Sequence, residues 1–288
     1  MTTLRTLLLH VSASGISPRR LQLIKRLADE QGAGIEAVYA VTPALVEFPF
    51  SLTAEVLAAE QLVALEAEAR DAARAALDRD CLAAGMPSIA WRAIDGDPVR
   101  GLRRQAWRAD MLVLGQHQPD AAVPSAVPAD FVASVLVSSG KPGLVLPYID
   151  QATVTAKTVL VAWKPRPESA RATTAALPLL QRAGQVHLAC WDDAAAHGSD
   201  LDAGMQDDGD TAAPALQFLQ RHGINAIVHR EGPPSADLGE LLLSQAADLQ
   251  ADLLVMGCYG HGRAREWVLG GVTRTILNSM TLPVLMVH

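Results

Sequence analysis

The chain has 288 residues, half of them hydrophobic and 19% charged, with three cysteines and a net charge of −7. This composition excludes a disordered or fibrous chain and can fill the cores of about two domains of roughly 150 residues each. The acidic balance argues against nucleic acid as a partner, no apolar run approaches the ~20 residues that span a bilayer, and Cys81, Cys190 and Cys258 match neither a disulfide framework nor zinc spacing.

The opening, MTTLRTLLLHVSASG, carries one Arg and a short apolar stretch, so it reads as a first strand over Thr6 to Val11 rather than as a signal peptide. A cytoplasmic location without membrane contact is expected. Ser17 can cap a helix with Pro18 at its first position, and Leu21, Ile24, Leu27 and Ala28 line one face before Gly32 stops it. A second strand follows at Ile35 to Val41. The Ala-, Glu- and Leu-rich stretch from Leu52 to Ala84 predicts one long helix.

Two tracts then repeat one plan. Ala83 to Gly115 and Gln220 to Gly257 each pass from a helix end through a short β-rich run and Gly-x-Pro to an amphipathic helix, then Ala-Asp and an apolar strand closing on Gly. Asp110 and Asp252 mark equivalent points. Pro142 stands 27 residues beyond Gly115 and Pro283 26 beyond Gly257, each before a last apolar strand, Gly143 to Leu146 and Val284 to Val287. The second half opens with a strand at Thr158 to Trp163, a helix near Ser169 to Arg182 and a strand at Gln185 to Trp191. Strands alternating with helices imply right-handed crossovers and mostly parallel sheets covered on both faces. The expected architecture is α/β, two doubly wound domains of five strands each, over residues 1–148 and 157–288. Between them in pattern, Asp192 to Ala213 holds seven Asp and no Lys or Arg, without calcium-loop spacing, and reads as a solvated loop.

In open parallel sheets, ligands settle at the carboxyl ends of strands where strand order reverses, and helix N-termini there favour anions. Beyond the strand Leu253 to Met256 come Gly257-Cys258-Tyr259-Gly260, nine residues, then Gly270-Gly271-Val272-Thr273 opening a helix. The amides of Gly260, Gly270 and Gly271 can reach phosphate oxygens, with the Thr273 hydroxyl and the helix dipole adding to the site. The same glycines also suit an ordinary loop with a glycine cap. Cys258 and His261 have no second ligand pair, so no metal site is expected. Tyr259 and His261 lack a visible acidic partner for acid-base work.

Asp252 to His288 resembles the signature end of the universal stress protein family, whose ATP-binding members carry Gly-x2-Gly-x9-Gly-Ser/Thr. Gly257, Gly260 and Gly270 match, and Gly271 stands where Ser or Thr is usual. The two halves together look like the tandem form of the family. The resemblance implies an adenine nucleotide alpha hydrolase-like fold in each half and pairing of the halves through their last strands about a pseudo-twofold axis, with a further homodimer of chains compatible. It also implies a stress-adaptation role and ATP or a related adenine nucleotide, with Mg, as ligand. Met256, Gly257, Tyr259, Gly260, Gly270, Gly271, Val272 and Thr273 would then form the phosphate and ribose side, with Ala162 and Trp163 near the base. ATP-binding relatives carry Asp-Gly-Ser just after the first strand, where this chain has Trp163-Lys164-Pro165. In the first half Ala129 and Asp130 replace the glycine pair, and an Asp there repels phosphate, so that site is expected to be empty. Alternative readings are an interaction protein that binds no nucleotide and a slow ATPase with His261 and Thr273 as its candidates.

Overall fold

The computed structural model describes residues 3–43, 56–118, 126–149, 156–191, 211–259 and 271–288. The chain divides into two compact units, 3–150 and 151–288. Each is a five-stranded sheet in which every neighbouring pair runs parallel.

The N-terminal unit runs β1 (Thr6–Val11), α1 (Pro18–Gln31), β2 (Gly34–Ala40), α2 (Val56–Ala83), β3 (Ala90–Ile94), α3 (Pro98–Ala106), β4 (Met111–Gly115), α4 (Phe131–Ser139) and β5 (Gly143–Leu146). Its strand order is β3-β2-β1-β4-β5, so order reverses between β1 and β4. The C-terminal unit runs β6 (Thr158–Ala162), α5 (Pro167–Leu180), β7 (Gln185–Trp191), α6 (Ala213–Arg221), β8 (Ala226–Glu231), α7 (Leu238–Asp248), β9 (Leu253–Gly257), α8 (Gly271–Ser279) and β10 (Val284–Val287). Its order, β8-β7-β6-β9-β10, repeats the first, with the reversal between β6 and β9. The Asp-rich tract lies outside the described residues as far as Asp210.

Local chemistry explains these bounds. Ser17 Oγ accepts from the Arg20 amide, Pro18 takes the first helical position, and Gly32 ends α1 in the left-handed region at φ 64°. Central strands read as unbroken apolar runs because helices cover both faces. Leu7, Leu8, Leu9, Leu112, Leu254 and Val255 are all buried. α5 begins two residues before the expected start, at Pro167, and β6 ends at Ala162, so only four residues join them. The corresponding connection from β1 to α1 has six. Gly232-Pro233-Pro234 does not open a helix as Gly96-Asp97-Pro98 does. α7 starts later, where Asp237 caps it by accepting from the Gly239 and Glu240 amides, as Asp97 accepts from Arg100 in α3.

The repeated Ala-Asp has a structural use. Asp110 Oδ2 accepts from the Arg5 amide at 2.7 Å and the Thr6 amide at 2.9 Å, tying the residue before β4 to the start of β1. Asp252 does the same for β6, accepting from the Lys157 and Thr158 amides at 3.1 and 3.2 Å. In each unit the backbone closes the same link, from the Asp110 amide to the Thr6 carbonyl and from the Asp252 amide to the Thr158 carbonyl. Replacing either Asp by Ala leaves two strand-end amides without their carboxylate and is expected to cost about 1–3 kcal/mol. The exposed Asp248→Ala control is expected to stay within about 0.5 kcal/mol, by urea denaturation.

Candidate functional site

The reversal between β6 and β9 brings most of the described candidates to one strand end. Ala162 pairs in register with Met256, so Trp163 leaves β6 beside the end of β9. The Trp163 amide donates to the Ala189 carbonyl, and its indole Nε1 donates to the Thr211 carbonyl at 2.8 Å, fixing the half-buried ring. After Gly257 the Cys258 amide donates to Val287 at 2.9 Å, extending the β9–β10 ladder by one rung. Tyr259 then takes a left-handed conformation, φ 57°, which turns the chain out of the sheet. α8 begins at Gly271, with Val272 half-buried and Thr273 buried. Gly260 and Gly270, with His261, Arg263 and Arg265 of the intervening loop, lie outside the described residues.

Gly257 and Gly271 lack side chains for different reasons. A Cβ on Gly257 would stand 2.7 Å from Glu168 Cγ, the Glu168 carbonyl carbon and the Ser169 amide nitrogen, inside the first turn of α5. The space that the sequence reading gave to a ligand is thus taken at Gly257 by a helix, which lies directly on β9 and β10. The four-residue connection from β6 leaves α5 no room to stand off. At Gly271 a Cβ would meet no atom of the described residues within 4 Å, so among these the hydroxyl-bearing residue usual at this point would fit.

The electrostatics remove one chemistry. Burial, reinforced by the Glu168 carboxylate and opposed by Arg171, pushes the Cys258 thiol up to about 12. At neutral pH it is a protonated packing group rather than a thiolate nucleophile. Among the described residues no cluster of three or more His, Cys, Asp or Glu could hold a metal ion. Sequence reading missed Glu168, Ser169 and Arg171, whose guanidinium Nε donates to the His288 carbonyl at 2.9 Å. The short span from β6 to Pro167 was the available signal, since it forces the helix N-terminus onto the strand end.

At the matching reversal of the N-terminal unit, Gly115 closes β4, and a Cβ there would lie 3.7 Å from Arg20 Nη1, an ordinary contact. Asp130 caps α4 without a side-chain bond to its amides, and its carboxylate accepts from the Ser134 hydroxyl at 3.0 Å. His10, in β1, packs its ring against Phe131 at 4.5 Å and donates from Nε2 to the Ala40 carbonyl at 2.9 Å. Burial pushes His10 from 6.5 down to about 4, outweighing the hydrogen bond to Ala40, which favours the charged form.

Each unit is thus a doubly wound, parallel α/β domain whose strand order reverses once. Residues 155–288 match the model of the universal stress protein family. Over its length the chain is similar to a universal stress protein from Archaeoglobus fulgidus DSM 4304, at 16% identity and TM-score 0.68, covering 98% of this chain and 97% of that one. It is also similar to a functionally unknown protein from Pseudomonas aeruginosa PAO1, at 14% identity and TM-score 0.59, covering 99% and 92%. No curated protein matches. The C-terminal half is therefore a universal stress protein domain, and the N-terminal half shares its fold. No helix among the described residues is long and apolar enough to cross a membrane.

Two outcomes follow. Gly257→Ala forces α5 off the strand end and is expected to cost about 1–3 kcal/mol in urea denaturation, whereas Gly115→Ala is near neutral. His10 is neutral when folded and takes a proton when unfolded below pH 6.5. Its contribution is whole above 6.5, falls as pH drops toward about 4 and levels off below, a loss on the order of 3 kcal/mol. Urea midpoints across that window are expected to fall more steeply for the native chain than for His10→Gln.

Proposed function

We propose that this chain binds one adenine nucleotide, ATP or a relative with Mg, in its C-terminal unit, and acts as a ligand-responsive module in stress adaptation. The observation that carries the reading is that Trp163 leaves β6 beside the strand-end residues of β9 at the reversal of strand order, in a domain that matches the universal stress protein family over residues 155–288. Phosphates would lie toward the amides of Gly260, Gly270 and Gly271 ahead of α8, with Thr273 in its first turn. The base would lie toward Ala162 and Trp163.

The packing of α5 on Gly257 favours a second reading, an interaction module without nucleotide, because it closes one of the approaches that glycine would otherwise open. Calorimetry with ATP, ADP and AMP in the presence of Mg separates the two. Saturation at one site per chain, lost in Gly260→Val and tightened roughly three- to tenfold in Gly271→Ser, supports the nucleotide reading. No heat with any nucleotide at millimolar concentration rejects it in favour of the second.

A further inference from the structure

At one equivalent point the two sheets carry different chemistry. Thr6 and Thr158, which Asp110 and Asp252 tie down, pair with Gly34 and Gln185, so Glu36 of β2 corresponds to His187 of β7. On the neighbouring edge strands Arg92 of β3 corresponds to His229 of β8, because Glu36 pairs with Ala90 and His187 with Ile227. Each pair stands diagonally on one face of its sheet, two residues out of register. Where the N-terminal unit has an acid and a base, the C-terminal unit has two imidazoles.

His187 Nδ1 and His229 Nε2 lie 2.9 Å apart, with ring centroids at 5.1 Å and ring planes tilted by 38°. The two nitrogens face each other, one carrying the hydrogen and the other accepting it. His187 is 5% exposed, whereas His229 is half-buried and Ile227, on the same face of β8, is 54% exposed, so the pair opens toward the edge of the sheet. The other ring nitrogen of His187, Nε2, is buried with no hydrogen-bond partner among the described residues. Packing alone would be served better by an apolar residue, because a buried polar atom without a partner loses its hydration and gains nothing in return. Burial, and then the neighbouring His229, hold the His187 imidazole below its ordinary value of 6.5. Near neutral pH the ring is uncharged and keeps a lone pair for a ligand.

We infer that His187 Nδ1 and His229 Nε2 form a binding site for a late first-row divalent cation, Zn(II), Ni(II) or Cu(II), with water completing its coordination. Two nitrogens about 2.0–2.1 Å from one cation stand roughly 3.3 Å apart at a tetrahedral angle and roughly 2.9 Å apart at a right angle. The observed separation therefore asks for rotation of the rings and little movement of the strands. The cation takes the place of the shared hydrogen, which passes to the other nitrogen of the ring that carried it, so a neutral pair releases no net proton. Neutral imidazole suits these cations, whereas Mg and Ca prefer oxygen. Among the described residues no third His, Cys, Asp or Glu completes a cluster, which makes the site open and exchangeable. Glu36 and Arg92 offer no such site in the N-terminal unit, since a guanidinium has no lone pair to give.

The test is calorimetric titration of the full chain with zinc chloride, with copper and magnesium chlorides as comparators. Two of the four ligands of a structural zinc site correspond to a dissociation constant of about 1–200 µM. A saturable site of that strength is expected, tighter for copper than for zinc. His229→Gln is expected to weaken it roughly tenfold or more, and His222→Gln, which removes an exposed imidazole elsewhere in the unit, to leave it unchanged. Zinc at about 1 mM is also expected to raise the urea midpoint of the native chain and not that of His229→Gln. NMR of the native chain needs no variant to fold: the ring signals of His187 and His229 are expected to shift together as zinc is added. Absence of saturation at about 1 mM zinc overturns the proposal. So do equal zinc binding by the native and His229→Gln chains, magnesium binding as tight as zinc, or ring signals of the pair that do not respond.

Discussion

The distance between the first helix of each unit and the end of its fourth strand governs what each strand end can hold. Both units have the same strand order, the same reversal and a glycine at the end of the fourth strand, Gly115 and Gly257. What differs is the connection that precedes the helix. In the C-terminal unit it is short, α5 sits on β9, and Gly257 is the residue that lets backbone meet backbone. In the N-terminal unit it is longer, α1 stands off, and Arg20 reaches into the space so created. Close packing of the interior leaves no room for a side chain at Gly257, whereas one would fit at Gly115.

The sheets that present these ends are held by interactions that repeat. Each unit ties the residue before its fourth strand to the start of its first through an Asp carboxylate, Asp110 or Asp252. These links join the two strands that flank the reversal, so the residues that clamp the sheet also set the register of the candidate site. The buried thiol of Cys258 and the ladder bond from its amide to Val287 continue that rigid frame up to the point where Tyr259 turns away.

Much of the fold was legible because the hydrophobic pattern and the punctuation agreed. β1, β5, β7 and β10 have the bounds expected from sequence, and Ser17, Pro18 and Gly32 cap α1 as their residue types require. The repeat was legible through Asp110 and Asp252, whose equal roles appear in the hydrogen bonds. Gly232-Pro233-Pro234 misled because a Gly-Pro turn can precede a helix by several residues, and the carboxylate of Asp237 decides where α7 starts. At the site, glycines marked close approach without saying of what. Gly257 faces a helix, while a Cβ at Gly271 would meet no atom of the described residues, a distinction set by packing and not by the residues themselves. The contact between Arg20 and Gly115 was illegible for the same reason, since the two lie far apart in sequence and the placement of α1 brings them together.

Native mass spectrometry of the intact chain with ATP and Mg, for the native sequence and for Gly260→Val and Gly115→Val, measures the account directly. It predicts one ATP on the native chain and on Gly115→Val, and none on Gly260→Val. Two ATP per chain, no ATP, or loss in Gly115→Val instead of Gly260→Val would contradict it.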